Sequence, residues 1–413
     1  MRVVHLSYTY GQGEGGGAAI AASRLHETLI DAGVESHFIC LLKHGEGRNV
    51  HVLPKPGLAC KIYFLLAKVL RAGWKLTPFR RVLGTNLLPL PGLKQLLDSI
   101  EPDVIHLHWL NFGVASQEAL SKLPYPIVAN LHDLWPIDAL NFHPGTDRRL
   151  IEGYTRENSN WVERWMINRK RRFAQQHPVS FIGPSKWVVD VCRKSVVGKG
   201  CMATAIPNII NPIFSYDPGL AVDKKHCLFL YGCDGGFRNV NKGFDDVRLA
   251  LRMLTPEEKS KVELHVFGQT EGDSVIEGVR VVYEGYITDP ERLKRVYHSA
   301  DVFLFPSKQE TQGMTKIEAM LCGLPVIAFD RTACAEGIVE GETGWVVPDG
   351  DHLAFARAMI RAAALKKDRQ EPFVNRAGVA RKASQMFAAQ EIVAAVLAHY
   401  KRTIAVWEEK NGK

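Results

Sequence analysis

Short apolar runs of strand character alternate with segments of helical period, and the alternation occurs twice along the chain. In the first half, Val3–Ser7, Ser36–Leu42, Val104–Leu107, Ile127–Leu131 and Ser180–Gly183 read as strands. Ala18–Ala32 reads as a helix with Ile20, Ala21, Leu25, Leu29 and Ile30 on one face. The second half restarts with strands at Cys227–Tyr231, Val262–Phe267, Val279–Tyr283, Val302–Phe305 and Pro325–Ala328. Helices are expected at Phe244–Leu254, Pro290–Ser299 and Thr315–Cys322. Parallel neighbours in a sheet need a crossover, usually a helix, so this order predicts an α/β chain with helices on both sheet faces. Its 413 residues suit two doubly wound, Rossmann-like domains of roughly 150–200 residues. The segment IPNIINPIFSYDPG, rich in proline and Asx, marks a linker near Pro207–Pro218. The expected division is 1–206, 207–387, and a C-terminal helical segment, 388–413, packing back toward the first domain. Ligands of doubly wound sheets sit at the carboxyl ends of the strands, so the expected site is the cleft the two domains face.

Composition narrows the class. With 46% hydrophobic and 23% charged residues the chain is an ordinary globular one. Eight cysteines without a CxxC pair exclude a zinc ribbon and a disulfide framework. MRVVHLSYTY runs straight into a strand and does not read as a signal peptide. No apolar stretch of about 18 residues is present, so a cytoplasmic, reducing setting is expected. The net charge of +8 is lopsided. Residues 1–206 hold 25 Lys and Arg against 16 Asp and Glu, whereas 207–413 hold 27 against 28. Residues 47–97 contain nine bases and no acid, and a second basic cluster follows at Arg169, Lys170, Arg171 and Arg172. Within the acid-free segment, 55–71 reads as a basic amphipathic helix with Lys61, Lys68 and Arg71. It suits an anionic membrane surface, or packs on the sheet with its lysine stems covering apolar neighbours. Nucleic acid is not expected, since the bases alternate with aliphatics rather than with an aromatic platform.

The loops after the strands carry the chemistry. Gly11–Gly17 holds five glycines before a helix, so backbone N–H groups there can approach an anion. Gly11, Gly13 and Gly16 also fit GxGxxG, but no acid ends the second strand to hold a ribose, which speaks against a dinucleotide. His106-Leu107-His108 and His132-Asp133 lie at strand ends. His106 and His108 share a strand face with no third ligand evident, so no metal is expected there. His106 reads as structural, and His132 as either structural or a site residue. The loop Gly236–Phe244 carries Arg238 and Lys242 at a helix start, attractive to phosphate. In Phe305–Met320 a polar loop with Glu310 precedes a helix whose first N–H groups belong to Gly313, Met314 and Thr315, with Glu318 one turn in. Two carboxylates around such amides suit the hydroxyls of a sugar and a ribose, with phosphates between. Asp349-Gly350-Asp351 spells DxD, but its place before a helix predicts a turn and cap rather than a metal site.

The E-x7-E spacing of Glu310 and Glu318, inside PSKQETQGMTKIEAMLCGLPVIA, resembles the retaining glycosyltransferases of family 4, which have the GT-B fold. The Gly-rich loop with AAIAASRLHETL, and the blocks DVIHLHW, LHDLW, GPSKW, IPN, NKGF and TGWVVPDGD, agree in order over nearly the whole chain. The LHDLW form is similar to bacterial exopolysaccharide transferases of the colanic-acid type. The resemblance implies a UDP- or GDP-linked sugar donor on the second domain and a saccharide or lipid-diphosphate acceptor on the first. It implies Glu310 at the donor sugar, Glu318 at the ribose, and Lys242 with Arg238 at the diphosphate. It also places His132 at the reacting centre, and Gly15, Gly16 and Gly17 over phosphate and sugar. No cofactor and no metal are expected. The chain departs from the pattern at Arg238, only four residues before Lys242. It also has Ile209 where IPNG has glycine, Thr311-Gln312 for the common GF, and Lys316, a charge near the sugar. Two other readings remain: a membrane-surface or nucleic-acid binding module without activity, or another GT-B enzyme such as a sugar-nucleotide epimerase.

Overall fold

The computed structural model describes residues 1–12, 16–75, 87–110, 114–141, 147–220, 226–232, 237, 239–268 and 270–412. The chain divides into two compact units, 1–209 with 389–413, and 210–388.

The first unit is built on seven parallel strands: β1 (Arg2–Leu6), β2 (Glu35–Cys40), β3 (Val50–Val52), β4 (Val104–Leu107), β5 (Ile127–Asn130), β6 (Ser180–Gly183) and β7 (Ala203–Ala205), in spatial order β3-β2-β1-β4-β5-β6-β7. The order reverses at β1, the switch point of a doubly wound sheet. The central strands β4, β5 and β6 are buried on both faces, hence continuous rather than alternating apolar runs. Three helices matter below: α1 (Gly16–Asp31), α2 (Leu58–Lys75) and α3 (Trp161–Gln176).

The second unit repeats the plan. Its strands are β8 (Cys227–Gly232), β9 (Val262–Phe267), β10 (Gly272–Ile276), β11 (Val279–Gly285), β12 (Val302–Phe305), β13 (Val326–Asp330) and β14 (Gly344–Pro348), in order β10-β11-β9-β8-β12-β13-β14. All pairs are parallel except the edge hairpin β10–β11, whose polar, exposed β10 has no counterpart in the strand reading. Its helices include α4 (Phe244–Arg252), α5 (Met314–Leu321) and α6 (His352–Lys367). The last helix, α7 (Ala389–Asn411), belongs to the first unit: Ile392, Val393, Val396 and Tyr400 pack among Val3, Leu29, Val104, Val128 and Ile182. Both sheets have the doubly wound, Rossmann-like architecture expected of the chain.

The charge surplus is less free than it reads. Arg48 pairs with Glu27 and Asp31, and Lys94 with Asp98. Of the second basic cluster, Arg169 is buried against Glu118 and Lys170 lies 2% exposed in the interior, so only Arg171 and Arg172 face solvent. Helix α2 is anchored by Tyr63 and Ala67, one turn apart, while Leu58, Ile62, Leu65, Leu66 and Val69 form an exposed apolar stripe with exposed Lys61 and Lys68 beside it. Arg71 falls on the same helix. Among the described residues no helix is long and apolar enough to cross a membrane, and the described cysteines are all free.

Candidate active site

In the second unit two loops are clamped together by glycines. After β8 the chain enters α4 through a turn at Val240–Lys242 and Gly243, whose φ of +70° is left-handed. A Cβ on Gly243 would stand 2.1 Å from the Pro306 carbonyl oxygen, so only glycine lets this turn touch the loop after β12. Lys308 N–H donates to the Asn241 carbonyl at 2.7 Å across the same seam. At the other end, Gly313 (φ +82°) opens α5, with no room for a Cβ against the Phe305 ring. The amides at the start of α5 lack intrahelical partners, as at any helix start.

Between these clamps, Lys242 Nζ lies 2.6 Å from Glu310 Oε1. The pair is part-buried, with the ammonium 29% and the carboxylate 13% exposed. Glu310 is oriented from behind by its own N–H, which donates to Thr332 Oγ1 at 3.1 Å. Glu318 is buried one turn into α5 and accepts from the Tyr297 hydroxyl at 3.1 Å. Burial and the Glu318 charge push that phenol well above its ordinary range. A cation, two fixed carboxylates and a helix start thus share one loop system.

Lys316, the added charge of this helix, is turned into the interior. It is 1% exposed and donates to the carbonyls of Ala333, Cys334 and Glu336 at 3.1, 2.9 and 2.7 Å, and burial lowers its amine to about 8. It ties α5 to the segment after β13. The DxD carboxylates have structural partners: Asp349 meets Arg331 Nε at 2.7 Å, and Asp351 caps α6 by accepting from Ala354 N–H at 2.8 Å.

In the first unit, His132 follows β5 and is half-buried, and loss of water around the ring lowers it to about 4. The loop that carries it is pinned from α3. Lys170 Nζ donates to the carbonyls of Trp135 and Asp138 at 2.5 and 2.7 Å and sits 3.8 Å from the centre of the Trp135 ring. Burial brings this amine down to about 7. His132 Nε2 lies 3.0 Å from His108 Nδ1. His106 bonds the Tyr400 hydroxyl through Nδ1 at 2.7 Å, but its buried Nε2 has no hydrogen-bond partner among the described residues. The third histidine that the HxH pattern lacked is His5, paired in register with His106 across β1 and β4. His5, His106 and His108 bring ligand atoms within 4.8 Å of one another. Gly16 and Gly17 form the first residues of α1.

A family model described as "Glycosyltransferase Family 4" matches residues 15–212, and one described as "Glycosyl transferases group 1" matches 229–364; together they span about four fifths of the chain. The chain belongs to these glycosyltransferases. Phosphatidyl-myo-inositol mannosyltransferase of Mycobacterium leprae is 29% identical over 286 residues, 64% of this chain and 65% of that protein. Sucrose-phosphate synthase from Thermosynechococcus elongatus aligns over 98% of this chain and 100% of its own, with a TM-score of 0.69 at 18% identity. HepE of Anabaena, in complex with UDP, aligns over 97% and 100% with a TM-score of 0.60, also at 18% identity.

The structure thus gathers Lys242, Glu310, Gly313, Met314, Thr315 and Glu318 of this glycosyltransferase within one unit, and His132, Gly16 and Gly17 within the other. Gly15 and Arg238 lie outside the described residues. The sequence reading missed His5, Lys170 and Tyr297. His5 carries a signal, since a histidine inside an otherwise apolar first strand must find a partner in the core. Lys170 and Tyr297 carry none, being indistinguishable in sequence from surface positions of their helices.

Proposed function

We propose that this glycosyltransferase moves a sugar, with retention of anomeric configuration and without a catalytic metal, from a nucleoside-diphosphate sugar to a saccharide or lipid-linked saccharide acceptor in bacterial polysaccharide or glycolipid assembly. The observation that carries the reading is the Lys242–Glu310 pair at 2.6 Å beside the start of α5. Departure of a nucleoside diphosphate concentrates negative charge on the leaving phosphates. Lys242 and the helix-start amides of Gly313, Met314 and Thr315 are the groups assigned to receive it, with Arg238 as a second cation. Glu310 is assigned to the donor sugar, Glu318 to the ribose, and Gly15, Gly16 and Gly17 to closure over phosphate and sugar. His132, neutral at pH 7, hydrogen-bonds the sugar rather than attacking it. The anomeric carbon becomes oxocarbenium-like, and attack on the face the leaving group vacates gives retention. The UDP bound in HepE, and the phosphatidyl-myo-inositol in the name of the mycobacterial relative, support a nucleotide donor and a lipid-linked acceptor. Product analysis by proton NMR tests the reading. The new linkage is expected to keep the donor's anomeric configuration, and turnover to be unchanged by EDTA. An inverted linkage or loss of activity in EDTA would contradict it.

The acceptor side suits a membrane surface. The stripe Leu58, Ile62, Leu65, Leu66, Val69 runs about 16 Å along α2 and is flanked by Lys61 and Lys68, as in helices that lie in an anionic interface. Co-sedimentation with vesicles containing anionic lipid is expected for the wild-type protein. It should be lost in Leu58→Glu/Leu65→Glu and in Lys61→Glu/Lys68→Glu. Retention of all three proteins in the supernatant would exclude this surface.

A further inference from the structure

Behind His132 the first unit holds two more histidines in line. His132 Nε2 stands 3.0 Å from His108 Nδ1, and His108 Nε2 stands 2.8 Å from His5 Nδ1. The line runs from the core outward: His5 is fully buried, His108 is 4% exposed, and His132 is half-buried. Its geometry comes from the sheet. β1 and β4 are adjacent, His108 N–H bonds the Leu6 carbonyl at 2.9 Å, and β5, which ends just before His132, pairs with β4 on its other side.

Burial keeps all three rings neutral at pH 7. A neutral imidazole has one N–H and one lone pair, so two bonds in series admit only two proton arrangements. In the first, His5 Nδ1–H donates to His108 Nε2, His108 Nδ1–H donates to His132 Nε2, and His132 keeps its proton on Nδ1. In the second every proton shifts to Nε2, and His5 ends the line with a buried Nε2–H. That nitrogen has no hydrogen-bond partner among the described residues. Of the rings around it, only His106 has an unpaired nitrogen among the described residues, its own Nε2. His26 donates through Nε2 to the Arg48 carbonyl at 2.7 Å and meets Ser36 Oγ through Nδ1 at 2.8 Å, His106 Nδ1 is joined to Tyr400, and Phe38 stacks on the His5 ring. An orphaned buried N–H is rarer in folded proteins than an unfilled lone pair, which selects the first arrangement.

We propose that His108 and His5 are positioning residues that lock His132 in its Nδ1–H form, with Nε2 held inward, so that Nδ1 is the nitrogen from which His132 donates. That this proton serves the donor sugar rests on the proposed function; the lock itself does not. The competing use of the cluster, a metal held by His5, His106 and His108, would have to break the line, because both nitrogens of His108 are engaged in it. The three rings also include no carboxylate to offset a buried dication.

Ring-nitrogen NMR of the full-length protein with 15N-labelled histidine tests the lock without any substrate. Wild type is expected to show His5, His108 and His132 all as Nδ1–H tautomers. In His108→Leu the His132 signal should leave that state. His108→Asn, whose amide can donate from the place of Nδ1, should restore it. With donor and acceptor present, kcat should fall about ten- to hundredfold in His108→Leu and recover in His108→Asn. An Nε2–H form of His108 or His132 in wild type, a His132 tautomer indifferent to His108→Leu, or His108 nitrogens shifted by a bound metal in the isolated protein would overturn the proposal. Should His108→Leu not fold, the wild-type and His108→Asn spectra still decide it. Full transfer activity in His132→Ala would instead remove His132 from the reaction and leave the ring spectra to judge the line.

Discussion

Lys242→Ala is expected to lower the rate of sugar transfer by about 10²–10³-fold, the usual loss when one preorganised electrostatic contact to a developing anion is removed. The size follows from the site's construction. Lys242 is held at 2.6 Å from Glu310 on a turn that Gly243 presses against Pro306, so little reorganisation accompanies its action. The substitution also strands the Glu310 carboxylate, only 13% exposed, beside the place for the phosphates, where it repels them. Glu310→Gln separates the two effects, keeping shape while removing the charge that orients the ammonium. It should lower kcat while the protein stays folded. Wild-type rates in Lys242→Ala would remove this pair from the mechanism.

Acid is expected to unfold the first unit well before the second. His5, His106 and His108 are driven far below the ordinary histidine range by burial, His26 is lowered by the same cause, and His132 and His399 are lowered to about 4. Each is neutral in the folded chain and protonates near 6.5 once unfolded. The unfolded state therefore gains protons first as pH drops, and stability present above about pH 6.5 is lost toward pH 4. A tenfold difference in proton affinity between the folded and unfolded chain is worth about 1.4 kcal/mol, so buried His399 alone accounts for roughly 3 kcal/mol at pH 4. Against the usual 5–15 kcal/mol of a whole domain, several rings shifted in this direction weigh heavily. Burial raises Asp138, which acts in the opposite direction but is a single group. In the second unit only His298 is lowered in this way among the described residues. Seven of the eight tryptophans lie in the first unit, so their fluorescence reports it. Urea midpoints followed by tryptophan emission should fall steeply between pH 6.5 and 4.5. Midpoints constant over that range would mean the rings are solvated.

Much of this was legible in the sequence because parallel strands buried on both faces leave apolar runs that local pattern detects. Val104–Leu107, Ser180–Gly183, Val262–Phe267 and Val302–Phe305 were readable to the residue. Glu310, Gly313 and Glu318 were readable because they fall within one loop and one helical turn. What escaped depends on contacts between distant segments. His5 and His108 are 103 positions apart and meet only through strand register. Lys170 and Lys316 look like surface lysines until the carbonyls they cap are in place. The polar edge strand β10 has no apolar pattern, being held only by its hairpin partner. For α2 the pattern allowed burial or exposure, and the structure shows the stripe uncovered.

That the donor's diphosphate rests on Lys242, beside the start of α5, is tested most directly by calorimetric titration of UDP and GDP into the wild-type protein and into Lys242→Ala. One of the two nucleotides is expected to bind the wild type, and Lys242→Ala to weaken it by about tenfold or more, a change of about 1.4 kcal/mol or more. The same dissociation constant in both proteins would contradict it.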